Sequence, residues 1–157
     1  MKTSTTARRQ PRRKKSREAV IAAFWDFSSK RDSLKDSDRL RQIEEGLSAY
    51  LLQAVRETFD LQERSLKTLF NVSISNLERC GREKKPLDPV ASERLDRIAA
   101  VSHLVGVVFE SREAAARWMS RSNEALGGGP PIMLCKTESG ANQVRRVLQA
   151  LEWGGVA

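Results

Sequence analysis

Cys80, Cys135 and His103 carry the most reactive side chains in this sequence, and their number and spacing argue against most chemistry. Two cysteines and one histidine cannot close a structural zinc site, and neither a CxxC nor an HxxxH pair is present. No histidine stands close to Cys135 in sequence to activate it. His103 falls next to the apolar face of a helical pattern, so a packed imidazole is a simpler reading than a general base. Gly127-Gly128-Gly129-Pro130-Pro131 has the glycines of a phosphate cradle, but it lacks the Lys-Ser/Thr that should follow and the strand that should precede, and it reads as a turn. We expect no catalytic residue, no metal ligand and no cofactor.

A different chemistry, hydrogen bonding to base edges and phosphates, is available to Ser73, Ser75, Asn76, Arg79 and Arg82. These residues alternate with apolar Leu66, Phe70, Val72, Leu77 and Cys80, spaced as the contacts of two crossed helices joined at Asn71. The turn between such helices needs a left-handed residue, and asparagine tolerates that conformation best among residues that carry a side chain. Burying the apolar set turns the five polar residues toward the outside or the ends of the second helix. Lys84 and Lys85 extend its basic edge, while Glu78 opposes the approach of phosphate. An ordinary three-helix unit with a solvated face fits the same spacing.

The elements that must hold these residues follow from punctuation and period. The chain has 157 residues and a formal charge of +8, enough for one ordinary domain or two small ones. Residues 1–40 hold 12 basic and 5 acidic side chains, 41–90 hold 8 and 8, and 91–157 hold 8 and 7. A neutral body with a basic arm suggests a tethered electrostatic contact to phosphate. Residues 1–16 offer almost nothing to bury and read as disordered. Ala19, Val20, Ala23, Phe24 and Phe27 then give a short amphipathic helix with Trp25 near its edge, and polar residues 28–38 look like a linker.

Beyond Gly46 every signal is helical. Leu51, Leu52, Val55 and Phe59 share one face, and Leu66, Leu69 and Phe70 another. Asp88-Pro89 opens a long helix reaching Phe109, because Asp accepts first-turn amide protons and Pro loses nothing at the first helical position. Ser111 and Thr137 start two more, and Gly154-Gly155 ends the last. No alternating segment of strand length is present, so the fold class is all-α. No apolar run reaches the ~18 residues of a membrane span, and no secretory segment follows Met1. We expect a cytoplasmic protein that makes no membrane contact.

From Arg97 onward the sequence resembles the toxin-binding domain of Xre/MbcA/ParS-type antitoxins. The resemblance rests on Val108-Phe109, Ala115 with Trp118, Asn123 before Ala125-Leu126-Gly127-Gly128, then Pro131, Leu134, Thr137-Glu138, Gly140, Val144, Leu148 and Glu152. Residues Ile43–Leu95 are similar to the Xre-type helix-turn-helix of the same antitoxins, through Glu45-Gly46-Leu47 and Val72-Ser73 before Leu77 and Arg79. Ile132 replaces a more usual leucine, and Cys80 and Gly81 stand where the family often has basic residues.

The resemblance implies a homodimeric, non-enzymatic antitoxin that blocks a RES-domain toxin attacking NAD and that represses its own operon through operator DNA. It also implies toxin contact through Trp153, Gly154, Gly155, Val156 and Ala157, a slender segment suited to entering a substrate cleft. The expected organisation is an arm over 1–39, a helix-turn-helix domain over 40–88 and a toxin-binding and dimerisation domain over 89–157. A stand-alone transcriptional regulator whose C-terminal domain only dimerises is the rival reading. A RES-like reading frame beside this one separates the two.

Overall fold

The computed structural model describes residues 10–154, and over that range the chain is helical from end to end. The first helix, α1 (Gln10–Ser33), is followed by α2 (Asp36–Glu45), α3 (Tyr50–Thr58), α4 (Glu63–Phe70) and α5 (Ile74–Glu83). The long α6 (Pro89–Phe109) leads to α7 (Arg112–Ser120), a single 3-10 turn at Glu124–Leu126, the short α8 (Pro131–Leu134) and α9 (Glu138–Gly154). Among the described residues the only strand-like pairing is an isolated bridge between Ser48 and Pro86.

The expected start signals operate as hydrogen bonds. Asp88 Oδ1 accepts from Ala91 N at 2.8 Å, with Pro89 in the first turn. Ser111 Oγ accepts from Ala114 N at 3.1 Å, and Thr137 Oγ1 from Gly140 N at 3.0 Å. Each such cap satisfies an amide that the helix itself leaves free, worth about 1 kcal/mol. Gly140 also sits where a Cβ would come 1.9 Å from the Leu134 carbonyl oxygen, so only glycine lets α9 start against α8.

The centre of the molecule is α6. It buries Ala91, Leu95, Ile98, Ala99, Val101 and Val105 completely and packs against α1, α2, α4, α7 and α9. The expected division at Asp88–Pro89 coincides with the start of this helix. A helix buried on most sides is apolar nearly all round, which is how one segment serves the elements before it and after it.

The N-terminal region departs from expectation. Instead of a disordered run to residue 16, a short helix and a linker, α1 runs unbroken from Gln10 to Ser33, and α2 starts at Asp36. Phe24 and Trp25 are buried, the latter not at an edge, and form an edge-to-face cluster with Phe59. Trp25 comes close enough to α6 that a Cβ on Gly106 would touch its ring at 3.7 Å. Ser28 is wholly buried and donates to the Ala99 carbonyl at 2.6 Å.

Arg31, 2% exposed, is also part of this buried polar seam. Its Nε donates to Asp96 Oδ1 at 2.8 Å, its Nη1 to Gln42 Oε1, and its guanidinium lies over the Phe27 ring. From α2, Arg39 donates through Nη2 to the other Asp96 oxygen at 2.7 Å. Two polar residues of the expected linker, Ser28 and Arg31, are therefore on the buried side of a three-helix joint, while most of the others face water. The part of the arm before Gln10 lies outside the described residues.

Candidate functional site

The helix pair α4–α5 is built as the sequence implies. Leu66, Leu69, Phe70 and Leu77 are buried between the helices and their neighbours, while Val72 and Cys80 are half-buried. Asn71 adopts φ 53°, ψ 45°, the left-handed conformation that turns the chain from one helix into the other. A helix-turn-helix thus arises from an apolar seam and one asparagine.

On the outer side of α5 the structure leaves Ser75, Asn76, Arg79 and Arg82 exposed. Arg79 Nη2 donates to Asn76 Oδ1 at 3.1 Å, which holds the guanidinium along the helix surface. Ser73 differs from the other expected contact residues. It is half-buried, and its Oγ is engaged as the helix cap, accepting from Asn76 N at 3.1 Å, so its first task is to start α5. The basic edge is also smaller than the sequence suggests. Lys85 pairs with Glu83 at 2.9 Å, and that hydrogen bond holds the Glu83 carboxyl below its usual range. Arg79, Arg82 and Lys84 remain as the cations of this surface.

The C-terminal domain presents a second surface of opposite character. Trp153, in the last turn of α9, is 87% exposed. One turn back on the same side of the helix stands Gln149, which with Glu152 edges a groove whose opposite wall is Leu104, Val107 and Val108 of α6. Leu104 and Val107 are themselves exposed large apolar residues. Their role was not read from the sequence. The available signal was the width of the apolar stripe on α6, since Ile98, Val101, Val105 and Val108 already complete one face and Leu104 and Val107 flank it. Gly154 is exposed as well; Gly155, Val156 and Ala157 lie outside the described residues.

Behind this surface, Arg97 donates to the Cys135 carbonyl at 3.0 Å and pairs with Glu93 and Glu138; Arg145 also pairs with Glu138. Cys135 is fully buried, and burial pushes its thiol up to about 12. A thiol held neutral is neither nucleophile nor metal ligand at ordinary pH. In native protein one thiol per chain, Cys80, should react with a maleimide, and two after denaturation; equal rates for both would contradict this packing.

The raised Cys135 value also sets a direction for stability with pH. The folded chain holds that proton more tightly than the unfolded chain does, so the contribution is complete below pH 9 and is lost as pH rises from 9 toward 12.

His103 Nε2 is 3.7 Å from Asp32, a contact between α6 and α1. Among the described residues no group of three or more His, Cys, Asp or Glu side chains could hold a metal ion, and no helix is long and apolar enough to cross a membrane.

These features define a helix-turn-helix protein with a second helical domain packed behind it through α6. Residues 38–100 match the antitoxin Xre-like helix-turn-helix domain, and residues 105–154 match the antitoxin Xre/MbcA/ParS C-terminal toxin-binding domain. The chain belongs to the Xre/MbcA/ParS-type antitoxins. It is similar to Antitoxin Xre of Pseudomonas putida, 31% identical over 70 residues, which is 45% of this chain and 44% of that protein. The aligned region therefore spans less than half of the curated relative. The two family regions meet inside α6, between residues 100 and 105, and α1 lies outside both.

Proposed function

We propose that this protein is the antitoxin of a type II pair. In this reading a homodimer binds a RES-domain toxin that degrades NAD or transfers ADP-ribose from it, blocks the toxin's active site sterically, and represses the operon that encodes both proteins. Trp153 is the observation that carries the inhibitory part. An almost fully exposed tryptophan at a helix end, next in sequence to Glu152 at the edge of the groove lined by exposed Leu104 and Val107, is costly to leave in water and typical of the residues that dominate protein interfaces. The segment Trp153, Gly154, Gly155, Val156, Ala157 is narrow enough to follow the indole into a cleft. The chain's own role is occlusion, with no bond made or broken by its residues.

Copurification with the product of an adjacent reading frame, followed by an assay of NAD loss with and without this chain, tests the proposal. Retention of the neighbour and arrest of NAD consumption are the expected results. A RES-type neighbour that neither copurifies nor loses activity rejects it.

For repression the contact surface is α5, with Ser75, Asn76, Arg79 and Arg82 toward the DNA and Ser73 placing the helix start near the backbone. Replacing two cations at such a surface removes phosphate or base contacts worth about 1–3 kcal/mol where a base edge is met. Arg79→Ala with Arg82→Ala should therefore weaken promoter binding by about tenfold to a hundredfold and leave toxin neutralisation intact. A gel-shift titration unchanged by the pair removes α5 from the DNA interface.

A further inference from the structure

Charge and anchoring together single out the beginning of α1. Residues 1–17 hold eight lysines and arginines and no acid, so the whole net charge of +8 resides there and residues 18–157 balance at zero. Five of the eight, Arg12, Arg13, Lys14, Lys15 and Arg17, fall within the first turns of α1, which has no acidic residue in its opening turn.

The rest of the same helix is fixed. Val20 and Ile21 are its first residues packed on the core, Phe24, Trp25 and Ser28 are buried, and Arg31 is locked to Asp96. Lys14, Ser16, Arg17, Glu18 and Ala19 are exposed. Between Gln10 and Arg17 the helix rises by roughly 10 Å. Arg17 Nε meets Glu57 at 3.1 Å, in the last turn of α3, just before the corner from which α4 and the helix-turn-helix begin.

We propose that residues 10–17 form a second DNA-contacting element, a basic helical prong held at the α3–α4 corner that grips backbone phosphates beside the site reached by α5. The partner is duplex DNA because the prong leaves the body next to the helix-turn-helix and because an isolated run of cations recognises a regular array of phosphates without need of shape. The inference rests on the DNA-binding reading of α5 and adds to it an element outside both family regions. The prong continues the helix whose later turns are packed on the core, so it contributes at a set offset from α5, unlike a floating tether.

Two variants of the full chain test it against a duplex of the promoter upstream of its own gene. Arg12→Gln, Arg13→Gln, Lys14→Gln and Lys15→Gln together remove four cations and keep good helix formers. Each lost phosphate contact makes the slope of log affinity against log salt shallower by about 0.9, so four change it by between three and four. The deficit at 50 mM salt should then exceed that at 200 mM by about a hundredfold.

Ala19→Pro keeps every charge but cuts the helix, since proline ends the preceding turn and is tolerated as the start of the remainder. It should retain most of the salt slope while losing affinity several-fold. An unchanged slope for the glutamine variant overturns the proposal, as does full promoter affinity in Ala19→Pro, which would make the cations a tether. Intact DNA binding with lost toxin neutralisation would assign the prong to an acidic protein surface and also overturn it. If the wild-type chain ignores the duplex, the reading of α5 and this inference fall together; failure of the glutamine variant alone to change leaves α5 standing.

Discussion

A chain lacking Trp153 to Ala157 is expected to leave its toxin active, with NAD consumed at nearly the uninhibited rate when the two proteins are mixed at equal concentration. Tryptophan brings about 150–250 Å² of surface to an interface, and residues of this kind at an interface centre cost about 2–4 kcal/mol or more when truncated. That corresponds to a loss of affinity of about thirtyfold to a thousandfold. The fold should not notice the deletion. Trp153 is 87% exposed, and α9 is held by Gly140, Ala141, Val144 and Leu148, all buried and upstream. Paired measurements of NAD loss and thermal unfolding check both halves of the expectation. Complete inhibition by the truncated chain would move the inhibitory contact elsewhere on the domain, with the groove between Leu104 and Gln149 the next surface to alter.

Asp96→Ala should damage the fold severely. The carboxylate of Asp96 neutralises two guanidiniums, those of Arg31 and Arg39, each within 2.7 Å of one of its oxygens. Hydrogen bonding to Asp96 is also the main reason that the Arg39 guanidinium is held above its ordinary value. Without the acid, Arg31 is left buried with no counter-ion, and removing one partner of a buried pair costs about 3–5 kcal/mol. Such a loss is a large share of the 5–15 kcal/mol typical of a folded protein, and for a chain of this size it lowers the melting temperature by about 10 °C or more. Arg39→Gln should cost much less, because Arg39 is partly exposed and Arg31 keeps its partner. Equal melting curves for Asp96→Ala and wild type would show that the seam is solvated and that α1 is held by its aromatic residues alone.

The readability of the sequence varied with the range of the interactions involved. Asp88-Pro89, Ser111 and Thr137 could be placed as helix starts because a cap is made within three residues of itself, and Asn71 because its left-handed turn is a property of one residue. Leu66, Phe70 and Leu77 could be assigned to an apolar seam because helical period brings them to one face whatever lies opposite. Ser28 and Arg31 could not be read in this way. Their partners, Ala99 and Asp96, are 71 and 65 positions away, and a serine or arginine without a visible partner looks like surface. The same limit hid Trp25, whose place depends on its packing with Phe59 and on the backbone of α6 at Gly106. At the candidate site, the exposure of Arg79 and Arg82 followed from period, whereas the pairing of Lys85 with Glu83 and the solvent-facing position of Leu104 and Val107 did not.

The helices α3 to α7 and α9, the asparagine turn of the helix-turn-helix and the concentration of positive charge near the start were determined by the amino-acid sequence alone, since each depends on local geometry or on counting. Tertiary structure decided that α1 belongs to the body, that α6 is shared by both halves, and that Trp153 faces water. Those outcomes depend on which surfaces meet across the chain. Packing joins residues that sequence keeps far apart, and a polar or aromatic side chain takes its role from the partner it finds there.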